Sequence, residues 1–128
     1  MKMKVLHIEE NHPSLIEGLD LLGFQNDLAL DDSLPEVLSK IGAYDGLILR
    51  SKFKIDKTFL LHARNLKFIG RLGVGLDNIN LNICKKLKIH VQPATGMNAD
   101  AVAEYVIGSS LYLIKNISLL DNETKKGL

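Results

Sequence analysis

The chain has little of what announces many functions. A single cysteine, Cys84, excludes an internal disulfide and suits a reducing compartment. Sixteen Lys and Arg stand against fifteen Asp and Glu, and a formal charge of +1 gives no pull toward nucleic acid or an acidic membrane surface. Aromatics are 5% of the chain and nowhere interleave with a basic patch, which argues against a nucleic-acid partner. The opening MKMKVLHIEE soon becomes acidic, at Glu9-Glu10, and has no apolar h-region, so it does not read as a signal peptide and the expected location is the cytoplasm. There is no metal-ligand spacing, no P-loop and no Gly-x-Ser-x-Gly. His7, His12, His62 and His90 lack the evident carboxylate partner that would orient a general acid or base. Cys84, although it precedes Lys85 and Lys86, reads as a plain helix residue rather than an activated thiol.

What is present is an ordinary globular composition. In 128 residues, 46% apolar and 24% charged, there is one domain's worth of chain with enough apolar mass for a real core. Short apolar runs alternate with helical patterns. Strands are expected at Lys4–Ile8, Asn26–Leu30, Tyr44–Arg50, Leu66–Arg71 and Lys88–Gln92. Helices are expected between them, with Pro13 in a first turn, Ser33 or Asp32 and Asp56 as caps, and Gly23 and Gly42 as stops. This alternation predicts an α/β fold, a flavodoxin-like parallel sheet of about five strands in the order 2-1-3-4-5 with helices on both faces.

One further helix is expected from about Asn98 to Ile117. Ala99, Ala101, Val102, Ala103, Val106, Ile107, Leu111, Leu113 and Ile114 leave it almost no polar face, and an all-round apolar helix must be covered. Asp100, Glu104 and Asn116 interrupt it too often for a bilayer span. The expectation is a sheet-bearing portion over residues 1–97 and a long apolar helix with a tail over 98–128, the helix packing on another subunit or another domain.

Ligands of such sheets bind beyond the carboxyl ends of the strands, here in the loops after Ile8, Leu49, Gly70 and Gln92. Three of these loops carry chemistry. GRLGVGLDN suggests a dinucleotide loop at first, but Asn78 stands where the third glycine belongs and Gln92 where an acidic residue should close the next strand. As an anion-binding turn it fares better, because Gly73 and Gly75 let successive N–H groups face a carboxylate or phosphate. A tight turn that binds nothing is the alternative. LRSKFK places Arg50 and Ser51 just past the third strand, either as an oxyanion receptor, with Lys52 and Lys54 hinting at a phosphorylated ligand, or as an exposed salt bridge. In PATGMNADAVAE, Asn98 either caps the long helix or offers its amide to a ligand.

Arg50-Ser51, GRLGVGLDNINL and GMNADAVAEYVIG, in this order, resemble the D-isomer-specific 2-hydroxyacid dehydrogenases, the phosphoglycerate dehydrogenase type especially. The resemblance covers nearly the whole chain and is most specific from Leu47 to Leu113. It implies a substrate-binding domain of an NAD-dependent oxidoreductase that moves a hydride between a small anionic 2-hydroxy acid and NAD. It implies that Arg50 and Ser51 hold acidic groups of the substrate, that the N–H groups around Val74 and Gly75 bind its carboxylate, and that Asn98 contacts it. Val102 would lie near the nicotinamide, and the helix 98–117 would join a two-fold homodimer. In the family a Rossmann domain and the catalytic Arg, Glu and His follow, about where this sequence reaches KKGL. The resemblance therefore implies no catalytic residue within the chain, NAD held mainly by a domain outside it, and no activity for the chain alone.

Two rival readings come from other classes. KVLHIEENHPSLIEGLDLLGF is similar to the start of a response-regulator receiver, with Glu9-Glu10 imitating the Mg²⁺-binding acids. A receiver needs an acceptor Asp at the end of the third strand, where Leu49-Arg50 stands, and a Lys-Pro pair where Gln92-Pro93 stands. The other rival is a stand-alone binding or dimerisation module.

Overall fold

A computed structural model describes residues 1–96 and 98–127. The first of two compact units, Met1–Thr95, carries five parallel strands: β1 (Lys4–His7), β2 (Gln25–Leu28), β3 (Gly46–Leu49), β4 (Phe68–Arg71) and β5 (His90–Pro93). Their order is β2-β1-β3-β4-β5, the expected one, so the connection crosses over from β2 to β3. The strands pair in register from Val5 with Gly46, Gly46 with Phe68 and Phe68 with His90. The central strand β3 is buried at every position, because a parallel sheet covered on both faces needs continuous apolar runs. Two glycines make that sheet possible. A Cβ at Gly46 would lie 2.2 Å from the Phe68 ring, and one at Gly70 would lie 2.5 Å from Ile48 Cδ1. Both positions are open so that a larger neighbour on the next strand can cross them.

The helices start where the sequence marks them. Pro13 opens α1 (Pro13–Leu21) behind His12, whose Nδ1 accepts from the Ser14 N–H, and Gly23 ends the segment at φ +85°. Ser33 caps α2 (Leu34–Lys40), with Glu36 accepting from the Ser33 N–H at 2.7 Å and the Ser33 hydroxyl at 2.6 Å. Those two bonds hold the Glu36 carboxyl below its ordinary range. Asp56 caps α3 (Lys57–His62) and Asn80 caps α4 (Leu81–Lys86) through bonds from the Phe59 and Ile83 N–H groups.

The apolar faces of α2, α3 and α4 close on the sheet in one core that includes Leu6, Ile8, Val37, Ile41, Leu47, Leu49, Phe59 and Ile69, whereas α1 buries no residue. Cys84 belongs to it, and burial pushes its thiol above the ordinary value, as fits an inert packing residue. His7 is the one buried polar residue among those described. Asn26 gives its amide N–H to Asp20 and so offers Oδ1 to His7 Nε2 at 2.8 Å, while Asn11 Nδ2 reaches Nδ1 at 2.9 Å. Side-chain amides thus meet both ring nitrogens, as a buried imidazole requires.

The second unit, Gly96–Leu128, departs from expectation. Instead of one long apolar helix from 98 to 117 it has α5 (Ala99–Ile114) and α6 (Ile117–Lys125). The break falls at Asn116, left-handed at φ +51°, a conformation asparagine tolerates and apolar periodicity cannot reveal. The second helix is polar enough, with Asp121, Asn122, Glu123 and Lys125, that it adds nothing to an apolar span. No described residue of either helix is buried, and among the described residues no helix is long and apolar enough to cross a membrane.

Candidate functional site

The loops after β1, β3 and β4 come together at the carboxyl edge of the sheet. The turn after β3 is built around a carboxylate that belongs to the protein. Glu9 Oε2 accepts from the backbone N–H of Arg50 at 2.5 Å, of Ser51 at 2.7 Å and of Lys52 at 2.9 Å. Successive N–H groups converging on one oxygen form an anion nest, and here the anion is internal. The side chains that leave this turn are Arg50 and Ser51, both exposed. The Arg50 guanidinium spends one donor on the Glu10 carbonyl at 3.3 Å. Lys52 is differently committed: its ammonium donates to the Leu30 carbonyl and stands 5.3 Å from the Phe53 ring centroid. The hint of a phosphate ligand drawn from Lys52 therefore loses its support, and Lys54 is merely exposed.

The second turn, after β4, is open. The Gly73 N–H returns to the Arg71 carbonyl at 2.9 Å, but among the described residues the Val74 and Gly75 N–H groups find no acceptor. Both residues are exposed, so two adjacent donors are free for a ligand. Beside them lies Arg71, half-buried, with its Nε buried and unpartnered and no carboxylate in salt-bridge range among the described residues. A Cβ on Gly73 would sit 1.7 Å from Arg71 Nη1, so the glycine makes room for the guanidinium. Sequence reading took Arg71 only as the end of a strand.

The two turns are tied to each other. Ile55 and Ile79 form an isolated parallel bridge, through Ile55 N–H to the Asn78 carbonyl at 2.7 Å and Asn80 N–H to the Ile55 carbonyl at 2.9 Å. Asn78 Nδ2 adds a bond to the Phe53 carbonyl at 3.2 Å and a longer one to that of Arg50. Asn78, read from sequence as half of a turn, is thus the clasp between the loops. Its signal was visible as Asp77-Asn78, but its partners lie more than twenty residues away.

Asn98 and Val102 belong to the second unit. Asn98 precedes α5, its side chain makes no capping bond and has no partner among the described residues, and Val102 is exposed on the first turn of the helix. Met97, in the same expected motif, lies outside the described residues.

The fit of these residues to a dinucleotide is poor. After Gly75 the chain turns through Asp77 and Asn80 before α4 begins at Leu81, and α4 has only six residues. No helix N-terminus follows the glycines directly, so the turn cannot present one to a pyrophosphate. What the turn offers is two N–H donors beside the Arg71 guanidinium, clasped to the loop that carries Arg50, a receptor for a small acid with one or two anionic ends. A receiver phosphorylation site is not formed, since Glu9 Oε2 is occupied by backbone donors and a guanidinium stands where the acceptor carboxylate would be.

Comparison with known proteins gives the family. A D-3-phosphoglycerate dehydrogenase of Archaeoglobus fulgidus is 33% identical over 125 residues, which is 98% of this chain and 24% of that protein. A solved protein of Pyrococcus horikoshii OT3 superposes with a TM-score of 0.86 at 30% identity, covering 99% of this chain and 38% of the other. An NAD⁺-bound 3-phosphoglycerate dehydrogenase of Entamoeba histolytica gives a TM-score of 0.69 at 29% identity, over 88% of this chain and 39% of its own. The chain spans about a quarter of the length of the curated relative it matches. The family pattern described as D-isomer specific 2-hydroxyacid dehydrogenase, catalytic domain, matches residues 5–125, and the chain belongs to that family.

Proposed function

We propose that this chain is the substrate-binding part of an NAD-dependent D-2-hydroxyacid dehydrogenase of the 3-phosphoglycerate type. The observation that carries the reading is the free N–H pair of Val74 and Gly75 in a turn clasped to the Arg50–Ser51 loop. The substrate carboxylate binds that pair, and Arg50 and Ser51 hold a second acidic or hydroxyl group. Arg71, which has no counter-ion among the described residues, adds charge to the same edge. Asn98 contacts the substrate, and Val102 lies toward the nicotinamide. NAD supplies the hydride acceptor when bound. Its pyrophosphate is held by residues other than the Gly73–Gly75 turn, and the chain's own task is to bind and orient the acid. The exposed apolar residues of α5 pack against a second copy of the chain. The single buried thiol fits a cytoplasmic setting.

The reading is tested by calorimetric titration of the purified chain with 3-phosphoglycerate and with glycerate. Binding of 3-phosphoglycerate is expected, weakened at least tenfold by Arg50→Ala with an unchanged circular-dichroism spectrum, because charge-assisted hydrogen bonds are each worth about 1.5–3 kcal/mol. Equal affinity of the Arg50→Ala variant removes the assigned role. Failure of the wild-type chain to bind either acid removes the substrate class.

A further inference from the structure

Resting on that reading of the site, the geometry points to Glu9 as a positioning residue of the substrate site: its carboxylate fills the N–H nest of Arg50, Ser51 and Lys52 and thereby directs the substrate's carboxylate to the Val74–Gly75 turn. The three bonds, at 2.5, 2.7 and 2.9 Å, all end on one oxygen. They come from a residue more than forty positions earlier, just beyond β1, and join the neighbouring strands β1 and β3 at their carboxyl ends. No other acceptor for these three N–H groups is present among the described residues. Without Glu9 the turn would offer a second anion cradle, directly beneath the Arg50 and Ser51 side chains and in competition with the first. With Glu9 in place the backbone of the turn is satisfied and only its side chains face a ligand.

The division is chemically useful. A substrate with two acidic ends could bind in either direction if both turns presented free N–H groups. One filled and one open nest makes the receptor asymmetric: main-chain donors at Val74–Gly75, guanidinium and hydroxyl at Arg50–Ser51. The bond from Asn78 to the Phe53 carbonyl holds the same loop from the other side, so the turn is gripped through its donors by Glu9 and through an acceptor by Asn78. Arg50 also leans on the Glu10 carbonyl, next to Glu9 in the chain, so the acid and the guanidinium it positions share one support.

The test uses amide NMR of the intact chain with Glu9→Ala and Glu9→Gln. In the wild type, added 3-phosphoglycerate should move the Val74 and Gly75 amide resonances and leave those of Arg50, Ser51 and Lys52 nearly still. Glu9→Ala should displace the latter three, and added acetate should return them toward their wild-type positions by refilling the nest. Glu9→Gln, which keeps the shape without the charge, should fall between and serves if the alanine variant unfolds. The affinity for 3-phosphoglycerate should drop about tenfold in Glu9→Ala and partly recover with acetate, which a merely structural residue would not show. Unmoved Arg50–Lys52 amides in both variants would overturn the proposal, as would moved amides without acetate rescue. If the wild-type chain binds no hydroxy acid while acetate still restores the amides, the substrate class fails and the filled nest stands.

Discussion

The two units of this chain differ most in what they bury. Met1–Thr95 encloses a core in which Leu6, Val37, Leu47 and Ile69 are fully or almost fully removed from water. Gly96–Leu128 buries no described residue, although Tyr105, Ile107, Leu113 and Ile114 are each more than 60% exposed. The first unit is held by its own contacts. The second has apolar surface of the kind that is stable in water only when something covers it. Composition alone does not separate them, since α5 is mostly apolar too; what separates them is that the strands have neighbours within the chain.

The largest expected effect follows from that contrast. Leu47→Ala, in the buried central strand, should destabilise the chain by about 2–5 kcal/mol in urea unfolding, through lost burial and the cavity left behind. Ile107→Ala removes a similar side chain at 61% exposure and should change unfolding by less than about 0.5 kcal/mol. It should instead lower self-association, read by sedimentation velocity. Equal destabilisation by both changes would show that α5 is packed within the chain after all, and unchanged sedimentation would remove the homodimer.

That contrast also explains what could be read in advance. Strands β1, β3 and β4 were legible within about two residues because each carries a short apolar run that a covered parallel sheet explains, and the edge strand β5, HVQP, was placed as closely with only Val91 to mark it. The polar strand β2, QNDL, was placed a residue late because it lies at the sheet edge and half its positions face water. The helix break at Asn116 escaped because a single left-handed residue leaves the apolar pattern intact. In the site, Arg50, Ser51, Val74 and Gly75 stand out by residue type at strand ends. Glu9 does not, since its role depends on three backbone groups brought beside it by the sheet. For the same reason Arg71 read as a strand end and Lys52 as a ligand for phosphate. Side-chain chemistry is local in sequence, but the satisfaction of a nest is not.

A smaller effect separates the units at their helix starts. Ser33 and Glu36 form a reciprocal cap on α2, whereas the Asn98 side chain makes no capping bond to α5. Ser33→Ala should therefore cost about 1 kcal/mol of stability, within the usual range of about 0.5–2. Asn98→Ala should cost clearly less, measured by thermal unfolding under the same conditions. If Asn98→Ala proves as costly as Ser33→Ala, its amide is a structural cap in solution and is not free for a substrate.

The smallest difference lies in the ion pairs, and pH exposes it. In the first unit Asp45 takes the Lys67 ammonium at 2.8 Å and the Lys4 backbone N–H at 2.9 Å, tying the starts of β1 and β4. These bonds, the Lys67 one foremost, hold the Asp45 carboxyl below its ordinary value of 3.8. A carboxyl depressed in the folded state contributes stability that is present above the unfolded value and is lost as pH falls through the folded one. Asp45→Asn should thus cost up to about 1 kcal/mol at pH 7, and the gap to wild type should close below about pH 4. In the second unit Lys125 and Asp121 make an exposed pair one helical turn apart at 2.6 Å. Asp121→Asn should cost no more than about 0.2–0.5 kcal/mol and should lose that effect in 1 M salt, since only screening-sensitive attraction holds the pair. The Asp45 effect should survive the same salt in part, because one of its two donors is a backbone N–H fixed at the start of β1 and not a mobile ammonium. Equal salt sensitivity of the two substitutions would mean that Asp45 acts through its lysine alone.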